Sequence, residues 1–110
     1  MKIKEGIKIV KFGASWCAPC KALSPIWTEL TRTSEIDMIE IDVDTEQEIV
    51  SDYGVRAVPT VMLLSNGVVV DKLSGPSVTK QSILNLIEQG KGMFITEDLK
   101  SKKDDGVDWL

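Results

Sequence analysis

The sequence predicts an α/β protein, a mixed sheet with helices on its faces. Three observations carry that reading. Strand-like runs and helical stripes follow one another in the order β-α-β-α-β-β-α. A helical connection after the first strand suits a parallel crossover, while Asn66-Gly67 between two apolar runs marks an antiparallel hairpin. With 110 residues, 43% hydrophobic and 27% charged, the chain suffices for one core and leaves no room for a second.

Ile7 to Phe12 is an apolar run broken by Lys8 and Lys11, and reads as a strand buried on both faces. Gly13 to Cys20 follows as a loop. Leu23, Ile26, Trp27 and Leu30 then form one stripe of an amphipathic helix. Pro19 suits the first turn of that helix, and Pro25 falls inside it as an expected kink. Trp27, on the stripe, is a core residue. Asp37 to Val43 alternates as a second strand. Thr45 to Tyr53 reads as a short helix closed by Gly54.

Val58 to Leu64 forms the third strand, preceded by a proline, and Val68 to Leu73 the fourth. Gly75-Pro76 ends it. Ser77 is the expected cap of a last helix, with Ile83, Leu84 and Ile87 on one side and Gly90 as its stop. Residues 91–110 are read as a polar tail to a domain of residues 1–90. They hold Lys91, Lys100, Lys102 and Lys103 and five acids. Deleting them should leave the fold intact. Met93 to Thr96 is the one stretch there that suits an extra edge strand.

Composition excludes several functions. Histidine is absent, so there is no Ser-His-Asp triad, no Cys-His protease pair and no His-built metal site. Two cysteines alone do not make a four-cysteine zinc or iron–sulfur site. A net charge of -4 argues against nucleic acid as a partner. No stretch resembles a signal peptide or approaches the roughly 20 apolar residues of a membrane span. A cytoplasmic protein without a membrane partner is therefore expected. In that reducing compartment a close cysteine pair is more often redox-active or metal-binding than a structural staple.

Cys17-Ala-Pro-Cys20 places two thiols where a strand feeds a helix. The helix N-terminus offers free N–H groups and a partial positive charge, which favour a thiolate. The thiolate is the species that attacks disulfides. One helical turn brings Cys20 within bonding reach of Cys17, and Pro19 stiffens the link. Two chance core cysteines, or a metal clip shared between two chains, are the alternatives.

Trp16-Cys-Ala-Pro-Cys-Lys21, Val58-Pro59-Thr60 and Gly75, at uninterrupted spacing, resemble the thioredoxin family over roughly residues 6–90. The resemblance implies a thioredoxin-like three-layer fold with a mixed four-stranded central sheet flanked by helices. It implies that Cys17 is the exposed nucleophile and Cys20 the buried resolving thiol, joined as a disulfide when oxidised. Pro59 becomes the cis-proline facing the sulfurs. Val58 then offers its backbone to a substrate chain in the manner of an added strand. Trp16, Ala18, Pro19 and Gly75 line or flank the same groove.

The implied activity is reduction of protein disulfides by dithiol–disulfide exchange. The implied partners are disulfide-containing proteins and a thioredoxin reductase, flavin- and NADPH-dependent. The protein itself needs no bound cofactor or metal and is expected to be a monomer. Two alternatives are a thioredoxin-fold binding subunit of a larger enzyme and a glutaredoxin-like reductase. Proline inside the CxxC and the lack of a signal peptide favour a reductant over an oxidant.

Several positions depart from the family. Only Met1 to Gly6 precede the first strand, where the family usually has a further strand and helix. Its tryptophan four residues before the first cysteine is Gly13 here. Its buried aspartate six residues before the nucleophile is Lys11, and the lysine of the next strand is Glu40. Both charges change together, which suggests an inverted ion pair beneath Cys20, since a pair costs less to bury than a single charge. Three schemes for the Cys20 proton follow. A cationic Lys11 stabilises the Cys20 thiolate, a neutral Lys11 amine accepts the proton, or Glu40 accepts it directly or through one water.

Overall fold

The computed structural model describes residues 3–102, with residues 94–102 as backbone. Four strands form one sheet in the order β2-β1-β3-β4. They are β1 (Ile7–Gly13), β2 (Asp37–Asp42), β3 (Thr60–Ser65) and β4 (Val68–Ser74). β1 runs parallel to β2 and antiparallel to β3, and β3 is antiparallel to β4. The sheet is therefore mixed, as the alternation of crossover and hairpin predicts. The hairpin turn is Asn66-Gly67, with φ of 51° and 87°, the left-handed pair that matches the twist of its strands.

Three helices cover the sheet: α1 (Ala18–Thr33), α2 (Gln47–Tyr53) and α3 (Lys80–Lys102). Alternate residues of β1 point to opposite faces. Ile7 and Ile9 join Val61 and Leu63 under Leu23, Trp27 and Leu30 of α1 and Ile83, Leu86 and Ile87 of α3. Val10 and Phe12 join Ile41, Met62 and Leu64 on the other face, against Ile49, Val50 and Tyr53 of α2. Gly54 closes α2 with φ 63°, as read from the sequence. Pro25 lies inside α1.

The end of the chain departs from the sequence reading in three ways. Ser77 does not cap the last helix. Gly75–Ser77 forms one turn of 3-10 helix, in which Ser77 Oγ accepts from the Ser74 N–H at 3.1 Å. The cap of α3 is Thr79: the Ser82 N–H donates to Thr79 Oγ1 at 3.1 Å, and the Thr79 N–H donates to Ser82 Oγ at 2.8 Å. Next, Gly90 does not stop the helix. It is buried within α3, and a Cβ there would stand 3.3 Å from Leu63 Cδ1 and 3.4 Å from Ile7 Cγ2. This glycine lets the helix approach the sheet, and Met93, one turn on, still packs against the same core. The apolar stripe therefore runs past residue 90, and tertiary packing overrides glycine's poor helix propensity. Third, residues 93–96 are helical and form no edge strand. Residues 103–110 of the tail lie outside the described residues.

Candidate active site

The C-terminal end of β1 delivers the chain into α1, and Cys17 sits at the junction. Cys17 is the N-cap residue, with extended backbone (φ −94°, ψ 111°), and its sulfur accepts the Cys20 N–H at 3.2 Å. Pro19 falls in the first turn, where it gives up no hydrogen bond. Cys17 and Cys20 are disulfide-bonded, with their Cα atoms 5.2 Å apart. Ala18 opens the helix and is exposed.

The expected contrast in burial is corrected here. Cys17 and Cys20 are each only 5% exposed. The physical reason is the cap itself: the Cys17 sulfur turns in over the helix N-terminus to take the Cys20 N–H. The two cysteines differ instead in that Cys20 lines a cavity beside α1.

An apolar cavity of ≈ 480 Å³ lies on one side of α1. Pro19, Ala22 and Ile26 line it from the helix, and Val58, Pro59 and Gly75 from across. The Val58–Pro59 peptide bond is cis. The Gly75 N–H donates to the Pro59 carbonyl at 2.9 Å, and Gly75 has φ 57°, a conformation that suits glycine. Four sequence-predicted residues, Pro19, Val58, Pro59 and Gly75, thus come together in one groove. Ala22, Ile26, Pro76 and Val78 share it without having been singled out. No motif marks them, because their membership depends on how α1 and the Gly75–Ser77 turn pack.

A second cavity of ≈ 330 Å³ opens on the other side of α1. Cys20, Lys21 and Ser24 line it from the helix, with Lys11, Gly13 and Glu40 from the strands. Lys11 and Glu40 are direct neighbours in the parallel β1–β2 register. Lys11 Nζ stands 2.7 Å from Glu40 Oε2. The Lys11 side chain is 5% exposed, whereas that of Glu40 is 58% exposed. Lys11 Nζ also lies 5.5 Å from the centroid of the Trp27 ring, a cation–π distance. The ion pair therefore has one buried end and one wet end.

Trp16 is 66% exposed, and its Nε1–H donates to Asp44 Oδ2 at 3.0 Å. That bond draws the indole toward the β2 side of the disulfide. Asp44 escaped the sequence reading because no motif spacing links it to Trp16. Among the described residues, no group of three or more Cys, Asp and Glu is placed to hold a metal ion.

A family model described as Thioredoxin matches residues 1–89. Thioredoxin of Bacillus subtilis strain 168 is 36% identical over 85 residues, which cover 74% of this chain and 82% of that protein. Among solved structures, the reduced thioredoxin pre-protein of Schistosoma mansoni superposes with a TM-score of 0.71 at 29% identity, over 79% of this chain and 81% of that one. The oxidised thioredoxin of Plasmodium falciparum gives a TM-score of 0.69 at 32% identity, over 78% and 82%.

Proposed function

Because the chain belongs to the thioredoxin family and is a thiol–disulfide oxidoreductase that reduces protein disulfides, we propose that Cys17 is its nucleophile and Cys20 its resolving thiol. The observation that carries this assignment is the cap: in the oxidised protein the Cys17 sulfur already accepts the Cys20 N–H. After reduction the same N–H and the helix dipole favour the Cys17 thiolate.

Family membership also supplies the partners in general terms, disulfide-bearing proteins and a reductase. In the proposed cycle an extended substrate segment lies in the apolar groove, with the Val58 backbone offered as an added strand edge. Ala18 and Trp16 flank the approach. The Cys17 thiolate attacks one substrate sulfur, the substrate disulfide breaks, and its other sulfur leaves as a thiolate. Cys20 then attacks Cys17 in the mixed disulfide. The second substrate thiolate leaves, and the Cys17–Cys20 bond closes. Two electrons have moved to the substrate, and a flavin- and NADPH-dependent reductase returns them.

Cys20 must shed a proton before it attacks. Glu40 lines the same cavity as Cys20, and its wet end faces solvent. We assign the proton to Glu40, directly or through one water. Lys11 acts as the positioning residue that holds the carboxylate. No helix of the described residues is long and apolar enough to cross a membrane. The compartment that keeps such a pair reduced is the cytoplasm, and we place the protein there on that ground.

The test is insulin reduction driven by dithiothreitol. Wild-type protein should accelerate it, and Cys17→Ser should lose at least about 10³-fold of that acceleration, as expected when a nucleophile is removed. Equal acceleration by both proteins would overturn the assignment.

A further inference from the structure

We propose that the cavity beneath Cys20 is a docking site for an amino-acid-sized zwitterionic thiol, which exchanges directly with Cys20 rather than with Cys17. The proposal rests on the reading that the Cys17–Cys20 pair turns over, and it adds a second class of exchange partner at the opposite side of α1.

Gly13 makes the opening. An ideal Cβ at that position would lie 3.5 Å from Cys20 Sγ and 3.6 Å from Cys20 Cβ. Gly13 and Cys20 both line the cavity, so a side chain at position 13 would start in contact with the sulfur and compete with a ligand for the space beside it. The volume of ≈ 330 Å³ sits at the lower end of ligand pockets, which span about 300–1,000 Å³. It suits a single amino acid and not a polypeptide segment.

The lining supplies both signs of charge. Lys11, Lys21, Glu40, Asp42 and Ser24 all line the space, and Lys11 and Glu40 are already paired with each other at 2.7 Å. Lys21 and Asp42 are exposed at the rim. A small molecule that carries one ammonium and one carboxylate finds its counter-charges at the rim, in Asp42 and Lys21. A neutral thiol of the same size finds neither.

The leaving group points to the same sulfur. Attack on Cys20 expels Cys17, whose sulfur is held by the Cys20 N–H at 3.2 Å at a helix N-terminus. A sulfur stabilised as thiolate leaves faster. Thiolate RS⁻ forms a bond to Cys20 Sγ, the Cys17–Cys20 bond breaks, and its electron pair stays on Cys17. A second RS⁻ then attacks the small thiol's sulfur in that mixed disulfide, releasing RSSR and the Cys20 thiolate. Two thiols are oxidised to one disulfide, and the protein disulfide is reduced to a dithiol. The reverse sequence reduces the small disulfide.

The reverse first step is the cleanest to measure. Cys17→Ser protein leaves Cys20 as the sole thiol. It is mixed with cystine or with the neutral 2-hydroxyethyl disulfide, and the Cys20 adduct is followed by intact mass and peptide mapping. The same is done with Cys17→Ser/Gly13→Ala and Cys17→Ser/Gly13→Leu, each checked for folding by thermal unfolding. The alanine variant adds only an ordinary van der Waals contact, so it stays measurable should the leucine variant fail to fold.

The expected result is cysteine bound at Cys20, with cystine favoured over the neutral disulfide. The preference should be at least about fivefold after each is normalised to its rate with a free model thiol. Adduct formation should fall by about threefold with Gly13→Ala and at least about tenfold with Gly13→Leu. No adduct at Cys20, a rate unchanged by the Gly13 substitutions, or a preference below fivefold would overturn the proposal. None of these outcomes touches the insulin assay on the Cys17/Cys20 protein, so failure here and failure of the reductase reading are distinguishable.

Discussion

The two cavities beside α1 are made of opposite materials. At about 100° per residue, Pro19, Ala22 and Ile26 project from one side of the helix, and Cys20, Lys21 and Ser24 from the other. The first side meets prolines, a glycine and aliphatic carbon, which suits the proposed docking of an extended chain by shape and backbone groups. The second meets a buried ammonium, a half-wet carboxylate and the inner face of the disulfide. In the proposed reading, one helical turn separates recognition of a polypeptide from the handling of protons and small ions. If the separation is real, substitutions on one side should leave the chemistry of the other alone.

The largest expected break comes from the charged side. Glu40→Gln removes the proposed proton acceptor while the Lys11 ammonium stays buried. Resolution of a trapped Cys17 mixed disulfide should slow by at least about tenfold. Lys11→Met should slow the same step less, because the carboxylate remains and only loses its positioning. Single-turnover kinetics with both variants across pH measure this. Wild-type rates at every pH in both would make the pair structural only.

Stability should show the converse asymmetry to exposure. Lys11→Met replaces a buried cation by a similar apolar volume and is expected within about 1 kcal/mol of wild type. Glu40→Gln strands that cation and is expected to cost about 1–2 kcal/mol, less than for a fully buried pair because Glu40 is 58% exposed. Denaturant unfolding of the two variants decides whether the more exposed residue matters more.

A smaller effect is expected on the apolar side. Ala22 is exposed and helical, so Ala22→Glu should fold normally while placing a carboxylate in the groove. The KM for a protein disulfide should rise by about three- to tenfold with kcat nearly unchanged, because the groove supplies binding common to substrate and transition state. Dithiothreitol reduction of the Cys17–Cys20 bond should stay within about twofold of wild type, since the reagent is too small to need the groove. Slowing of both reactions alike would mean that the two sides are not independent.

The smallest effect is expected from the end of α3. Truncation after Gly92 removes Met93, which packs partly buried against the α1/α3 core. A loss of about 1 kcal/mol or less is expected in thermal or denaturant unfolding, with the Lys11–Glu40 and Ala22 results unaltered. A loss of the folded state would show that residues 93–110 belong to the domain.

Local chemistry was legible in the sequence wherever a few adjacent residues decide the conformation. Asn66-Gly67 specified its hairpin because both residues tolerate positive φ. Cys17-Ala-Pro-Cys20 specified a capped helix start with two sulfurs one turn apart. Gly54 specified a left-handed helix end. The Lys11 and Glu40 positions could be paired because the family resemblance places both at its charged positions and both charges change together; the parallel register then sets them side by side. Family spacing around Val58-Pro59 marked the groove, although not the Ala22, Pro76 and Val78 that complete it.

By itself, then, the sequence determined the mixed sheet and the redox pair, and it supplied the residues to which the exchange is assigned. Tertiary structure alone decided the rest. Gly90 looks like a helix stop in the chain and becomes a close-packing point because Leu63 and Ile7 stand against it. Cys17 and Cys20 differ in assigned role yet share one burial, because the cap draws the first sulfur inward. Gly13 shows its consequence only when α1 folds back and sets Cys20 over the space that a side chain would fill. Hydrogen-bonded turns and caps are settled within a few residues, whereas burial and cavities depend on which distant surfaces meet, and no local pattern encodes that meeting.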